Sequence, residues 1–192
     1  MRFYLAHTRP EVGQTNFSRI EFEQTLKQAL LYQWNPWLQG VHSRLMDKYD
    51  GILPEPGAWT DRHRVFYQEL NRCVEDISSA YNAETFSPQK VTRVLCELVR
   101  MASSFGQSEA ALSKFETKKE ERRTAIALEF AAVKALALLA APLMPEFAAD
   151  LWQYLGYARP IWDSTWEDTL HFVPSNRLIQ TPPPQLAGSV AS

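Results

Sequence analysis

One stretch of the sequence, AIALEFAAVKALALLAA at residues 125–141, decides the fold of this chain. Alanine and leucine are strong helix formers, and apolar side chains fall here on almost every face of a helix. A helix that is apolar all round belongs in the middle of a core. Glu129 and Lys134 interrupt the run and Pro142 ends it, so its uninterrupted apolar length is well short of the roughly 20 residues that a membrane span needs. We therefore predict a central buried helix and no membrane span.

Amphipathic helices are predicted on both sides of this central helix. Ser18, with Glu21 at the spacing of a capping box, begins the first of them, and Pro36 kinks or restarts it. A second helix runs from about Thr60 to Tyr81. A third opens at Ser87, an N-cap residue followed by a proline at the first helical position. No segment longer than a few residues alternates with the period of a strand, so the predicted fold class is all-α, a helical bundle.

The chain divides into four predicted segments. They are a junction helix and loop (1–17), the helical bundle (18–157), a C-terminal extension (158–173) and a tail (174–192). Within the bundle, the polar stretch 106–117 is expected to separate the third helix from the central one. The tail carries three consecutive prolines at 182–184 and then small residues, a composition that predicts disorder.

Composition limits the classes of function. Hydrophobic residues make up 45% of the 192 residues and charged residues 22%, values that are ordinary for a globular domain with a full core. The formal net charge is −2, so no global field attracts nucleic acid, and any nucleic-acid site must be a local basic patch. The two cysteines, Cys73 and Cys96, lie on apolar stripes, where we expect buried free thiols in a reducing cytoplasm.

Local motifs for catalysis or for metal and cofactor binding are absent from the sequence. None of the four histidines stands three to five residues from another ligand in a metal-binding pattern. The sequence also has no glycine-rich phosphate loop, no Gly-x-Ser-x-Gly turn and no pair of cysteines two residues apart. We therefore predict no metal site, no cofactor and no catalytic residue in this chain.

Three parts of the sequence together resemble the methionyl-tRNA synthetases, which are class I aminoacyl-tRNA synthetases. RFYLA at 2–6, RPE at 9–11 and TNFS at 15–18 resemble the junction that follows their catalytic core. LPEPG at 53–57 is similar to the connector after the first helix of their anticodon-binding bundle. ALALLAAPLMPEFAADLW at 135–152, followed by LGY at 155–157, resembles the pair of helices that closes class I synthetases.

This resemblance implies a helical bundle of the anticodon-binding type and a cytoplasmic, tRNA-binding function. Neither a His-Ile-Gly-His nor a Lys-Met-Ser-Lys-Ser type motif of the catalytic domain occurs in the chain. The resemblance therefore also implies a partner, a catalytic synthetase-like domain or protein that acts in trans. Aminoacylation by this chain alone is not expected, because nothing in it would bind ATP or activate a carboxylate.

One candidate tRNA-binding residue, Arg44, follows from the same resemblance, and three others follow from their position and chemistry. In the family, the first bundle helix offers an asparagine and, four residues later, an arginine to anticodon bases; here Gly40 and Arg44 stand at those positions. His42 and Lys48 are nearby candidates, and Trp37 is a candidate platform for stacking on an unpaired base. Where the family has a further stacking tryptophan, near 103–108, this chain has only Phe105, which we expect in the core.

Each candidate also has a structural interpretation, and the sequence leaves both open. Arg44 can pair with Asp47 or another carboxylate, and Trp37 can pack its helix against a neighbour. A cluster of cations along the start of the central helix can follow an RNA backbone or form a solvated face: Lys114, Lys118, Lys119, Arg122 and Arg123. Glu129 is expected to be a solvent-exposed, ion-paired carboxylate. At the level of function, the alternative is a protein-interaction or scaffold bundle that has lost tRNA recognition and supports an amino-acid-activating partner.

Overall fold

A computed structural model describes residues 1–10, 17–112 and 118–186. Every regular element in these residues is helical. The longer elements are α1 (Arg2–His7), α2 (Arg19–Thr25), a π-helical segment (Leu26–Trp34), α3 (Asn35–Tyr49), α4 (Asp61–Tyr81), α5 (Pro88–Leu112), α6 (Lys119–Ala140) and α7 (Pro145–Tyr154). Short 3₁₀ turns lie at Ala83–Thr85, Ile161–Asp163 and Glu167–Leu170. The predicted all-α bundle is confirmed.

Helix α6 lies at the centre of the bundle. All of its residues from Thr124 to Ala140 are buried, and it packs against α3, α4, α5 and α7. The predicted central helix is therefore confirmed, and neighbouring helices cover its apolar faces. No helix in the described parts of the chain is long and apolar enough to cross a membrane.

Side-chain caps fix where three of the helices begin. The Ser18 hydroxyl accepts a hydrogen bond from the Glu21 backbone N–H at 3.3 Å. Thr60 and His63 form a reciprocal capping box, in which each side chain accepts from the other's backbone N–H at 3.3 and 3.2 Å. The Ser87 hydroxyl accepts from the backbone N–H three residues later at 3.0 Å. The predicted starts of these helices are confirmed. They can be predicted from the sequence because capping depends on residues close together in the chain.

One helical boundary differs from the prediction, and another agrees with it. Helix α5 continues through residues 106–112, which were predicted to be a linker; the rest of that stretch, 113–117, lies outside the described residues. Residues 107–112 contain no proline or glycine, and polar side chains on one face do not stop a helix at the surface. The first bundle helix is helical from Arg19 to Tyr49, and α3 begins at Asn35, beside Pro36, which agrees with the predicted restart of the helix at this proline.

The C-terminal residues pack on the connector between α3 and α4. Leu178 forms an antiparallel bridge with Ile52, and the Ile179 N–H donates to the Gly51 carbonyl oxygen at 2.8 Å. Ile179 is buried, with 2% of its surface exposed. The predicted disorder of 174–192 is therefore wrong for residues 174–186, since an apolar anchor and backbone hydrogen bonds hold them; 187–192 lie outside the described residues.

Candidate nucleic-acid interface

An ion pair between α3 and α6 is the centre of the candidate interface. The Arg44 Nε donates to Glu129 Oε1 at 3.1 Å, and the Arg44 Nη2 donates to Glu129 Oε2. The side chain of Glu129 is only 2% exposed, whereas that of Arg44 is 27% exposed. Burial raises the pKa of Glu129, and the hydrogen bond and charge of Arg44 oppose that rise. The expectation that Glu129 is solvent-exposed is wrong, and Arg44 pairs with it rather than with Asp47 among the described residues.

Two glycines leave room for this ion pair. A Cβ atom on Gly106 of α5 would lie 2.6 Å from Arg44 Nη2 and would also collide with the Glu129 carboxylate. A Cβ atom on Gly40, one turn before Arg44, would lie 3.1 Å from Arg44 Nη1. The guanidinium therefore occupies space that any larger residue at 106 would fill.

The ion pair borders a cavity of about 240 Å³ between α3, α5 and α6. Besides the pair itself, the cavity is lined by three cationic side chains, one carboxylate and four other residues: Lys48, Lys119, Arg122, Glu109, Tyr49, Ala110, Ala125 and Ile126. Lys48 and Lys119 are exposed to solvent, whereas Glu129 lies at the buried side. The cavity thus has a basic rim above a floor whose own charges are paired.

Glu109 is held by two partners from α4. Arg62 Nη2 lies 3.0 Å from Glu109 Oε1, and His63 Nε2 lies 3.6 Å from Glu109 Oε2. Burial alone would raise the pKa of Glu109, but the nearby His63 imidazole and the charge of Arg62 outweigh it, so the pKa is lowered. Glu109 is therefore an ionised carboxylate at the edge of the cavity, and the positive charge of Arg62 compensates its negative charge.

Of the four sequence-predicted residues, two line the cavity, one lies in the core and one contacts α7. Arg44 and Lys48 lie one turn apart on α3 and both line the cavity. Trp37 is 3% exposed and belongs to the hydrophobic core, so its ring faces are covered by protein. His42 points instead toward α7, where its Nδ1 lies 3.4 Å from the Tyr154 hydroxyl, and burial lowers the pKa of its imidazole. The structure therefore brings together Arg44 and Lys48 but neither Trp37 nor His42.

The predicted basic cluster at the start of α6 is partly neutralised. Lys118 lies 3.4 Å from Glu121, and Arg123 lies 3.0 Å from Glu120. These pairs fit the solvated-face interpretation for two of the cations, whereas Lys119 and Arg122 line the cavity. Lys114 lies outside the described residues.

Phe105 lies in the core, as predicted. It is 9% exposed and stacks on Phe66, with ring centroids 4.0 Å apart and ring planes at 11°. Phe66 covers one face of the ring, so Phe105 does not stand free as a stacking platform. Among the described residues, no group of three or more His, Cys, Asp or Glu side chains is arranged to hold a metal ion.

Comparison with known proteins identifies the family. A sequence model described as the anticodon-binding domain of methionyl-tRNA ligase matches residues 53–187, well over half of the chain. The chain belongs to this family. The match includes α4 to α7 and the C-terminal residues that pack on the connector, so the resemblance seen in the sequence is confirmed.

Relatives and solved structures agree with membership of the anticodon-binding domain family. The methionine–tRNA ligase of Protochlamydia amoebophila is 24% identical over 185 residues, which are 95% of this chain and 26% of that protein. The methionine–tRNA ligase of Thermofilum pendens is 28% identical over 184 residues, covering 95% of this chain and 32% of that protein. A Mycobacterium tuberculosis methionyl-tRNA synthetase in complex with methionyl-adenylate superposes with a TM-score of 0.83 at 17% identity, over 94% of this chain and 36% of that one, and so shares its fold.

Two residues of this anticodon-binding domain candidate site, Glu129 and Gly106, were not predicted from the sequence. They come from helices far from Arg44 in the chain. The sequence does contain a signal for Glu129. A carboxylate within a helix that is apolar on all sides is buried, and a buried carboxylate needs a cationic partner. No comparable signal marks Gly106, whose role depends on how α5 crosses the ion pair.

Proposed function

We propose that this chain is the tRNA-binding, anticodon-binding-type domain of a cytoplasmic methionyl-tRNA synthetase or synthetase paralogue. One observation carries the proposal: Arg44, at the position where the family resemblance places a base-contacting arginine, lines a cavity with a basic rim. Family membership supports the same function, since the matching sequence model is that of an anticodon-binding domain.

The cavity suits part of a nucleotide. At about 240 Å³ it lies below the roughly 300–1,000 Å³ that small-molecule sites usually occupy, so a single unstacked base fits its size better than a whole cofactor. Sequence-specific RNA recognition generally takes bases from single-stranded loops, where they can be splayed out and hydrogen-bonded. An anticodon loop offers such bases, and the guanidinium of Arg44 offers planar donors to them.

The rim suits the RNA backbone. Lys48, Lys119 and Arg122 add three positive charges next to Arg44, although the chain as a whole carries a net charge of −2. Cations that neutralise phosphates release counterions, so binding at this rim weakens as salt rises. A local basic patch of this kind can attract RNA although the chain has no overall positive charge.

A catalytic domain is the proposed partner. The chain spans about a quarter to a third of the length of the two relatives described above. We propose that it acts with a synthetase-like catalytic domain, which supplies ATP binding and amino-acid activation, on the same polypeptide or in trans.

The test is binding of the chain to a methionine tRNA transcript and to a non-cognate tRNA transcript, across a salt series. We expect selective binding of the methionine tRNA. Arg44→Lys should reduce that selectivity, because a lysine keeps the charge that pairs with Glu129 but loses the planar fork of donors. Arg19→Ala is the matched control, since Arg19 is an exposed arginine on α2 that pairs with Glu23 at 3.0 Å.

Arg44→Lys is preferred to Arg44→Ala because alanine would leave a buried carboxylate without a partner. Thermal melts of each variant verify that the bundle still folds. Equal, weak binding of both transcripts that disappears at moderate salt would contradict the proposal, because it would reflect charge alone.

A further inference from the structure

The stability of the fold does not explain why the interface has a buried carboxylate at Glu129. It is one of only two charged residues in the buried part of α6, from Thr124 to Ala140, and the other, Lys134, faces the C-terminal extension. A buried carboxylate weakens a core unless it is fully paired, and a well-packed apolar residue is often as stable. A purely structural reason for Glu129 is therefore weak.

The geometry of the pair limits what Arg44 can do. A guanidinium has five N–H donors, and Glu129 takes one from Nε and one from Nη2. Among the described residues, the Nη1 group has no hydrogen-bond acceptor, and it lies beside Gly40, which has no side chain to cover it. Two hydrogen bonds to a buried, immobile carboxylate also fix the plane of the guanidinium.

We infer that Glu129 is a positioning residue, which holds the Arg44 guanidinium in one orientation so that its remaining donors face a base rather than any nearby phosphate. The inference rests on the proposed tRNA-binding function. Gly40 and Gly106 contribute to the same positioning, because both leave the space in which the oriented guanidinium lies.

The pairing has a consequence for affinity and selectivity. Because Glu129 neutralises Arg44, the pair adds little to the long-range attraction of RNA, and Arg44 contributes through the direction of its donors. Without the negative charge, Arg44 becomes a mobile, uncompensated cation that can bind phosphates of any sequence. Loss of the carboxylate should therefore reduce discrimination more than it reduces binding.

The experiment compares the full chain with Glu129→Gln, using a methionine tRNA transcript and the same transcript with a changed anticodon. A bidentate arginine–base contact typically discriminates by about tenfold or more, and we expect Glu129→Gln to lose most of that factor. Binding of the changed transcript should stay the same or tighten. The salt dependence should steepen by about 0.7–0.9 in the slope of log K against log salt, as for one added phosphate contact.

Two further variants separate positioning from stability. Glu75→Gln removes the same charge from an exposed site on α4 and should change neither discrimination nor the salt slope. In an Arg44→Lys background, Glu129→Gln should cause no further loss of discrimination, because the guanidinium that Glu129 positions is gone. Thermal melts report the stability of each variant independently of RNA binding.

Each outcome points to one conclusion. Discrimination that survives Glu129→Gln, or an equal loss for both transcripts with an unchanged salt slope, overturns the positioning role alone. Absence of discrimination by the unsubstituted chain overturns the proposed function, and the positioning role with it.

Discussion

Asn35 and Leu186 pair reciprocally although 151 residues separate them: the Asn35 Nδ2 donates to the Leu186 carbonyl oxygen at 3.1 Å, and the Leu186 N–H donates to Asn35 Oδ1 at 3.0 Å. This pair of hydrogen bonds fastens the last described residue to the start of α3. Together with the bridge between Ile52 and Leu178, it holds a segment whose composition predicts disorder.

Asn35→Ala should loosen the C-terminal segment. Two partly buried hydrogen bonds are lost, and we expect the free energy of unfolding to fall by about 1–2 kcal/mol. Trypsin cleavage after Arg177 should accelerate, which mass spectrometry measures. Gln33→Ala, at an exposed position two residues earlier, is the control. Unchanged cleavage in Asn35→Ala would mean that the segment is held by its other contacts.

The sequence predicts the helices well because their determinants are local. The starts at Ser18, Thr60 and Ser87 follow from caps within three residues, and the buried α6 follows from its own composition. The docking of residues 174–186 was missed, since its hydrogen bonds join residues more than 100 positions apart and Ile179 is its one deeply buried aliphatic anchor.

The cations of the site were predictable from the sequence, but the way Arg44 is paired was not. Helical spacing places Arg44 and Lys48 on one face, but it does not say which neighbouring helix that face meets. Trp37 lies on the adjoining core face with Val41 and Leu45, which is why its ring is buried. The partner of Arg44 is 85 residues away, and only the packing of α3 on α6 brings it there.

Glu109→Gln should reduce the loss of unfolding free energy that occurs as the pH falls into the acid range. The pKa of Glu109 is lowered from its ordinary value of 4.5, so its ionised form stabilises the fold above pH 4.5, and that contribution is lost as pH falls through the lowered folded pKa. The variant should be less stable at neutral pH and lose less stability below pH 4.5. Urea unfolding at several pH values measures this, with Glu75→Gln as the exposed control. Parallel curves for Glu109→Gln and the unsubstituted chain would contradict it.

Both cysteines should react slowly with thiol reagents at neutral pH. Burial raises the pKa of Cys73 and of Cys96 to about 11, so very little of the reactive thiolate is present. We expect labelling followed by mass spectrometry to show slow modification in the native chain and fast modification in denaturant. Rapid modification of either thiol in the folded chain would show that the helices around it open readily.

Gly106→Ala and Gly40→Ala should change stability in opposite directions. Replacing a helical glycine by alanine ordinarily stabilises by about 0.5–1 kcal/mol. At Gly40 the added methyl lies 3.1 Å from Arg44 Nη1, a contact that a shift of a few tenths of an ångström relieves without breaking the ion pair, so a gain is expected. At Gly106 the methyl collides with both partners of the buried ion pair, and neither Arg44 nor Glu129 can move without breaking it.

We therefore expect Gly106→Ala to lose about 1–3 kcal/mol of unfolding free energy, the usual cost of overpacking, and urea denaturation to show the difference. Ser104→Ala, at an exposed position on the same helix, controls for the gain in helix propensity. Gly106→Ala as stable as Gly40→Ala would mean that the ion pair has an alternative arrangement. The orientation of Arg44 would then not depend on the space that Gly106 leaves.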